Sequence, residues 1–81
     1  MEQQNLDDSL LARLKQAQGQ VITYRDLYIM IWGSLPKKGY LNTLRATVSR
    51  ARNLMYEDEG SICNVRGIGY MFRTEEDEWG M

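Results

Sequence analysis

The groups in this chain that could do chemistry are arginines, amides and hydroxyls. From residue 42 the sequence runs Asn42-Thr-Leu-Arg45-Ala-Thr-Val-Ser49-Arg50-Ala-Arg52-Asn53, and Asn64-Val-Arg66 follows further on. An arginine fork grips a phosphate or takes both acceptors of a guanine edge, and an asparagine amide pairs with adenine. Other chemistries find no such support. There is no histidine, and Cys63 is the single cysteine. One thiol among scattered carboxylates makes no metal-ligand set. Ser49 has no base that the sequence identifies. Gly67-Ile-Gly69 does not open a helix after a strand, so it is no dinucleotide fingerprint. The expectation is a chain with no enzymatic activity, no cofactor and no metal.

The elements that must position these groups follow from periodicity. Leu6, Leu10, Leu14 and Ala17 recur at helical spacing with Leu11 beside them, and Gly19 stops the run, which predicts a helix over 8–18. Asp7 and Asp8 suit its first turn. Val21-Ile22 is a short strand. Thr23-Tyr-Arg-Asp26 resembles a capping box and opens a helix over 24–32 that Gly33 ends. Ser34 to Gly39 is a turn with Lys37 and Lys38 at its tip. Leu41, Leu44, Val48, Ala51 and Met55 then share one face of a helix over 41–56. Its opposite face presents Asn42, Thr43, Ala46, Ser49, Arg50 and Asn53, while Arg45 and Arg52 lie along one flank. Ile62–Val65 and Tyr70–Arg73 read as two strands joined through Arg66-Gly-Ile-Gly69. Glycine supplies the positive φ that such a tight connection needs. Tyr70 and Phe72 alternate with Met71, so one face of the last strand packs inward.

Eighty-one residues with 43% hydrophobic content make one small domain with one core. The net charge of −1 conceals an uneven distribution. Residues 37–73 carry seven cations against three carboxylates, whereas residues 74–81 carry four carboxylates and no cation. Near-neutrality therefore does not exclude a basic face. The organisation expected is a flexible leader over 1–7, a domain over 8–73 and an acidic flexible tail over 74–81. No apolar run reaches the ~20 residues of a bilayer span. With one cysteine and an acidic, polar start, the expected compartment is the cytoplasm, with no membrane partner.

Helix, short strand, helix, turn, helix, hairpin is the order of a winged helix-turn-helix, an α+β fold. The chain resembles the DNA-binding effector domain of OmpR/PhoB-type response regulators over residues 9–73. The resemblance rests on L-L-A-R-L at 10–14, Q-G-Q-V-I-T at 18–23 and R-D-L-Y-I-M-I-W-G at 25–33. It continues in T-V-S-R-A-R at 47–52 and V-R-G-I-G-Y-M-F at 65–72. It implies a sequence-specific, double-stranded DNA-binding transcription regulator, with the third helix in the major groove. Thr47, Ser49 and Arg50 occupy positions like the family's groove-facing contacts. Arg52 stands where an arginine usually meets phosphate, and Asn42 where a backbone-contacting residue often stands. Asn64 replaces the usual threonine on the wing, and Arg66 matches an arginine that approaches the minor groove. Arg45 has no strong counterpart, but its flank suits a phosphate.

The sequence also departs from that pattern. About eight residues precede the expected first helix, too few for the family's N-terminal sheet, and the expectation is a standalone domain without a receiver domain. A standalone domain of this kind is expected to bind as a homodimer or in tandem, because two half-sites add their energies. By fold-level analogy it resembles small phage or mobile-element regulators. The alternative is a protein-interaction module that keeps the winged-helix fold and binds RNA polymerase or another host protein. Lys37 and Lys38 are its candidate contact loop, since in the resembling family that loop touches RNA polymerase. The tail is expected to solubilise the chain, or to offer Glu75 to Trp79 to a partner.

Overall fold

The computed structural model describes residues 6–56 and 59–74. Along the chain come α1 (Leu6–Gln16), β1 (Ile22–Thr23), α2 (Tyr24–Trp32), α3 (Tyr40–Arg52), β2 (Ser61–Val65) and β3 (Gly69–Arg73). Three helices with a small antiparallel sheet and a terminal hairpin form a winged helix, as predicted. Residues 1–5 of the expected leader and 75–81 of the expected tail lie outside the described residues. Among the described residues, no helix is long and apolar enough to cross a membrane.

The first helix begins earlier than its apolar spacing suggested. Leu6 and Asp7 are helical, which moves them from the expected leader into the folded unit. Asp7 and Asp8 in the first turn favour the amino end of the helix dipole. The helix ends at Gln16 because the backbone tightens. Gln18 N–H bonds the Lys15 carbonyl, a three-residue closure that ends the α-helical ladder. Gly19 N–H then bonds Phe72 O at 2.9 Å and ties this end to the sheet.

The capping signal at Thr23 holds. Its Oγ1 accepts from the Asp26 N–H at 3.1 Å, and α2 closes on Gly33, whose N–H reaches Ile29 O at 2.8 Å. Replacing Thr23 by alanine leaves that first-turn donor without its partner. The expected cost is about 1 kcal/mol, a fall in Tm of roughly 4–8 °C in a domain this small. A thermal melt that moved by less than a degree would remove the cap from the account.

The third helix is shorter than the 41–56 predicted. It runs from Tyr40 to Arg52, and Asn53, Leu54 and Met55 wind on in three-residue closures onto the carbonyls of Arg50, Ala51 and Arg52. Met55 still packs against the core. The apolar period therefore outlasts the helix itself. Aromatic rings set this helix against α2. Tyr28 stacks on Trp32 with centroids 4.6 Å apart, and Tyr40 meets Tyr28 edge-on at 5.4 Å.

The sheet order is β1-β3-β2, both pairs antiparallel. The last strand is thus the central one. It pairs Tyr70 with Ile22 on one side and with Asn64 on the other. Tyr70 and Phe72 face the core and are almost fully buried, as the alternation predicted. They close over Leu10, Leu14, Leu27, Leu44, Val48 and Ile62.

The two glycines of the hairpin play different parts, which corrects the expectation that both serve the turn. Gly67 has φ 78°, a left-handed conformation, with open space around its Cα. Gly69 has no such dihedral. It lies under β1, where an added Cβ would collide with the Ile22 carbonyl and come within 2.7 Å of Thr23 Cα. Its glycine is required by the approach of a neighbouring strand.

Candidate nucleic-acid interface

A helix advances 100° per residue, and the buried side of α3 is set by Leu44, Thr47, Val48 and Ala51. The opposite side carries Asn42, Ala46, Ser49 and Asn53, all exposed. The two edges between them differ. One faces the sheet: Arg52 Nη2 donates to the Ile62 carbonyl at 2.8 Å, and the Arg45 charge acts on the Tyr70 phenol. The other faces α1, where Arg50 Nε lies 3.2 and 3.3 Å from the two carboxylate oxygens of Asp7.

Most of the sequence-derived residues are therefore solvent-facing, with one exception and one change of place. Thr47 is 1% exposed. Its hydroxyl donates to the Thr43 carbonyl at 2.9 Å and lies 3.4 Å from Arg50 Nη2. The expected groove-facing role of Thr47 is corrected: it is a core residue whose hydroxyl is satisfied within its own helix. Its place in the motif pointed outward, but on the helix it lies within about 60° of Leu44 and Ala51, on the buried side. Arg50 is exposed, but it leans away from the hairpin.

Arg45 and Arg52 lie on the same side as the hairpin. Asn64 stands on β2, exposed, and Arg66 at the exposed tip. The tip is braced by Ile68 N–H to Val65 O at 2.9 Å and by Tyr24 N–H to Ile68 O at 3.0 Å. The wing is thereby tied to the start of α2. Lys37 and Lys38, both exposed, line a shallow hollow of about 360 Å³ together with Asn42, so the loop adjoins the start of α3.

Three residues that sequence reasoning did not single out for the site organise it. Tyr24 donates its hydroxyl to Asn64 Oδ1 at 2.7 Å. Its ring meets Tyr70 edge-on, centroids 5.5 Å apart. Tyr70 is held well protonated at neutral pH: burial raises its pKa most, the neighbouring Tyr24 adds to this, and Arg45 and Arg52 oppose it. A neutral phenol sits beside these groups without adding a buried charge. Asp7 is the third, and its carboxylate holds Arg50. No spacing in the sequence signals Tyr24, whose partners become neighbours only when β1 pairs with β3. The inward position of Tyr70 was legible from strand alternation.

Among the described residues no group of histidine, cysteine, aspartate and glutamate side chains could hold a metal. The arrangement offers guanidinium and amide donors on an exposed helix and on the wing beside it, a donor set suited to phosphate and base-edge acceptors.

Comparison with known proteins agrees with this fold. The family model described as "Transcriptional regulatory protein, C terminal" matches residues 6–72. No curated protein matches. Among solved structures, the crystal structure of the DNA binding domain of CpxR from E. coli is similar, with a TM-score of 0.74 and 22% sequence identity. The match covers 91% of this chain and 74% of that one. At this identity the likeness establishes the fold.

Proposed function

This chain belongs to the family of transcriptional regulatory protein C-terminal domains, and from that premise we propose that it is a sequence-specific regulator that binds double-stranded DNA. The family and its fold are those of a regulatory domain and not of an enzyme. In this reading α3 enters the major groove, Asn42 and Ser49 face base edges or sugar–phosphate, and Arg45 and Arg52 meet phosphates on the wing side. Asn64 and Arg66 extend the contact, with Arg66 in the minor groove, whose negative potential favours a long cation. Arg50 reaches the strand on the α1 side once it leaves Asp7. Thr47 has no part in it.

The observation that carries the reading is the common orientation of Arg45, Arg52 and the wing. One helix edge and one hairpin, braced together, present donors to a single side of the molecule. The test is selection of bound duplexes from a random pool at two salt concentrations, followed by Arg66→Ala on the selected site. The substitution is expected to weaken binding by about 1–3 kcal/mol and lower the salt slope by about 1, with an unchanged melting curve. Recovery of no sequence preference at either salt would leave only counterion release and defeat the claim of specificity. Two copies on adjacent half-sites would supply the remaining energy. A cytoplasmic setting fits this reading.

One observation favours a second surface. Leu35 is 65% exposed in the loop that carries Lys37 and Lys38. An exposed aliphatic beside two cations suits a protein partner, RNA polymerase being the one that the resemblance implies. Co-purification that survives high salt and is lost in Leu35→Asp would support this contact, and indifference to that substitution would remove it.

A further inference from the structure

We infer that Tyr24 is a positioning residue for DNA: its hydroxyl fixes the Asn64 amide so that the wing presents only N–H donors to a phosphate beside it. The inference rests on the DNA-binding reading and adds to it a residue that touches no DNA.

An asparagine amide has two faces of opposite character. Its oxygen accepts and its nitrogen donates two protons. A phosphate oxygen only accepts, so an exposed asparagine aids phosphate binding in one of its two orientations and opposes it in the other. Here the choice is made before any ligand arrives. The Tyr24 hydroxyl has one proton, and two acceptors lie near it: Asn64 Oδ1 at 2.7 Å and the Val65 carbonyl at 3.4 Å. With the amide as it stands, the proton makes a short bond to Oδ1. With the amide reversed, Nδ2 would donate to the Tyr24 oxygen instead, and the hydroxyl proton would be left the longer contact to a carbonyl that already accepts from Ile68 N–H at 2.9 Å. The 2.7 Å separation is the usual length of an O–H···O bond and short for an N–H···O bond, which favours the first arrangement.

The consequence is directional. Asn64 is exposed, its Oδ1 is occupied, and among the described residues its Nδ2 has no acceptor. Tyr24 itself cannot wander. It opens α2, its backbone N–H bonds Ile68 O, and its ring abuts Tyr70. The amide of the wing is thus held against a fixed ring before binding. Fixing a side chain in advance removes the ordering cost otherwise met on association.

The experiment uses the full chain and a duplex selected from a random pool by the parent protein. Tyr24→Phe keeps the ring against Tyr70 and removes the hydroxyl. It is expected to bind roughly three- to tenfold more weakly, with Tm within about 2 °C of the parent, as expected for a change that leaves the ring packing in place. Asn64→Ala should lose a similar factor, and the double variant should lose little more than either alone. Single methylphosphonate replacements along the duplex give a readout that a merely structural role would not move. The parent should show a loss of affinity at one wing-side phosphate, and Tyr24→Phe should show much less at that same position. A Tyr24→Phe protein that binds the selected duplex as tightly as the parent overturns the inference and leaves the DNA reading standing. So do losses that simply add in the double variant. A parent protein that binds no duplex overturns both.

Discussion

Gly69→Ala is expected to unfold the domain or lower its Tm by roughly 12–24 °C. The new Cβ has nowhere to go. It would overlap the Ile22 carbonyl and press on Thr23 Cα, both of them backbone atoms, which cannot rotate aside like a side chain. Relief requires β1 to leave β3. That movement breaks the pairing of Ile22 with Tyr70 and of Thr23 with Gly69, and it strains the Tyr24 N–H bond to Ile68 O. Overpacking of this kind costs about 3 kcal/mol, or more where backbone is displaced. A domain of this size has a total stability of the order of 4–12 kcal/mol, and each kilocalorie moves its Tm by about 4–8 °C. Gly67→Ala is the control. That position has open space but φ 78°, so the cost is backbone strain alone, about 1–2 kcal/mol. Circular dichroism melts of the two variants decide the matter. Equal small shifts would show that β1 does not lie where it has been described.

The second large effect concerns binding. The double variant Arg45→Ala, Arg66→Ala is expected to lose about 2–6 kcal/mol of affinity for the selected duplex, since each cation contributes about 1–3 kcal/mol at such sites. The slope of log K against log salt should flatten by nearly two, because each released phosphate contact contributes about 0.9. Removing one residue from the helix edge and one from the wing tests whether both surfaces meet the same duplex. Arg45 also acts electrostatically on the buried Tyr70, so Arg45→Lys, Arg66→Ala serves as the companion. It restores the charge at residue 45 without the fork, and about half of the lost slope should return. Anisotropy titrations at four salt concentrations give both numbers. A slope unaltered in the double variant would mean that these cations meet no phosphate, and the proposed interface would be lost with it.

Much of this architecture was readable before any coordinates. Local signals were enough for the helices, because the Thr23 cap, the Gly33 stop and the three-to-four spacing of leucines each act within a few residues. The hairpin was legible for the same reason. Strand alternation placed Tyr70 and Phe72 inside. What escaped was everything that depends on residues distant in the chain. Gly69 looked like a turn residue because nothing nearby reveals that β1 crosses it. Thr47 took its expected role from a motif, and its position on the helix had to overrule that. Arg50 was placed with its neighbours, but Asp7, 43 positions earlier, draws it to the other edge. Tyr24 gave no signal at all, since a tyrosine at a helix start has no distinctive spacing.

The strand order has a temporal consequence. The middle of the sheet is the last described element to leave the ribosome, and its partner at Ile22 and Thr23 emerges some four dozen positions sooner. Until that final strand arrives, the nascent helices have no lid over their leucines, and the wing has nothing to lean on. Such long-range closure slows folding relative to a purely helical bundle of the same size. Acquisition of structure therefore waits until residues 69–73 have been made, and a polypeptide halted before residue 69 would hold the donors of the third helix without the framework that aims them.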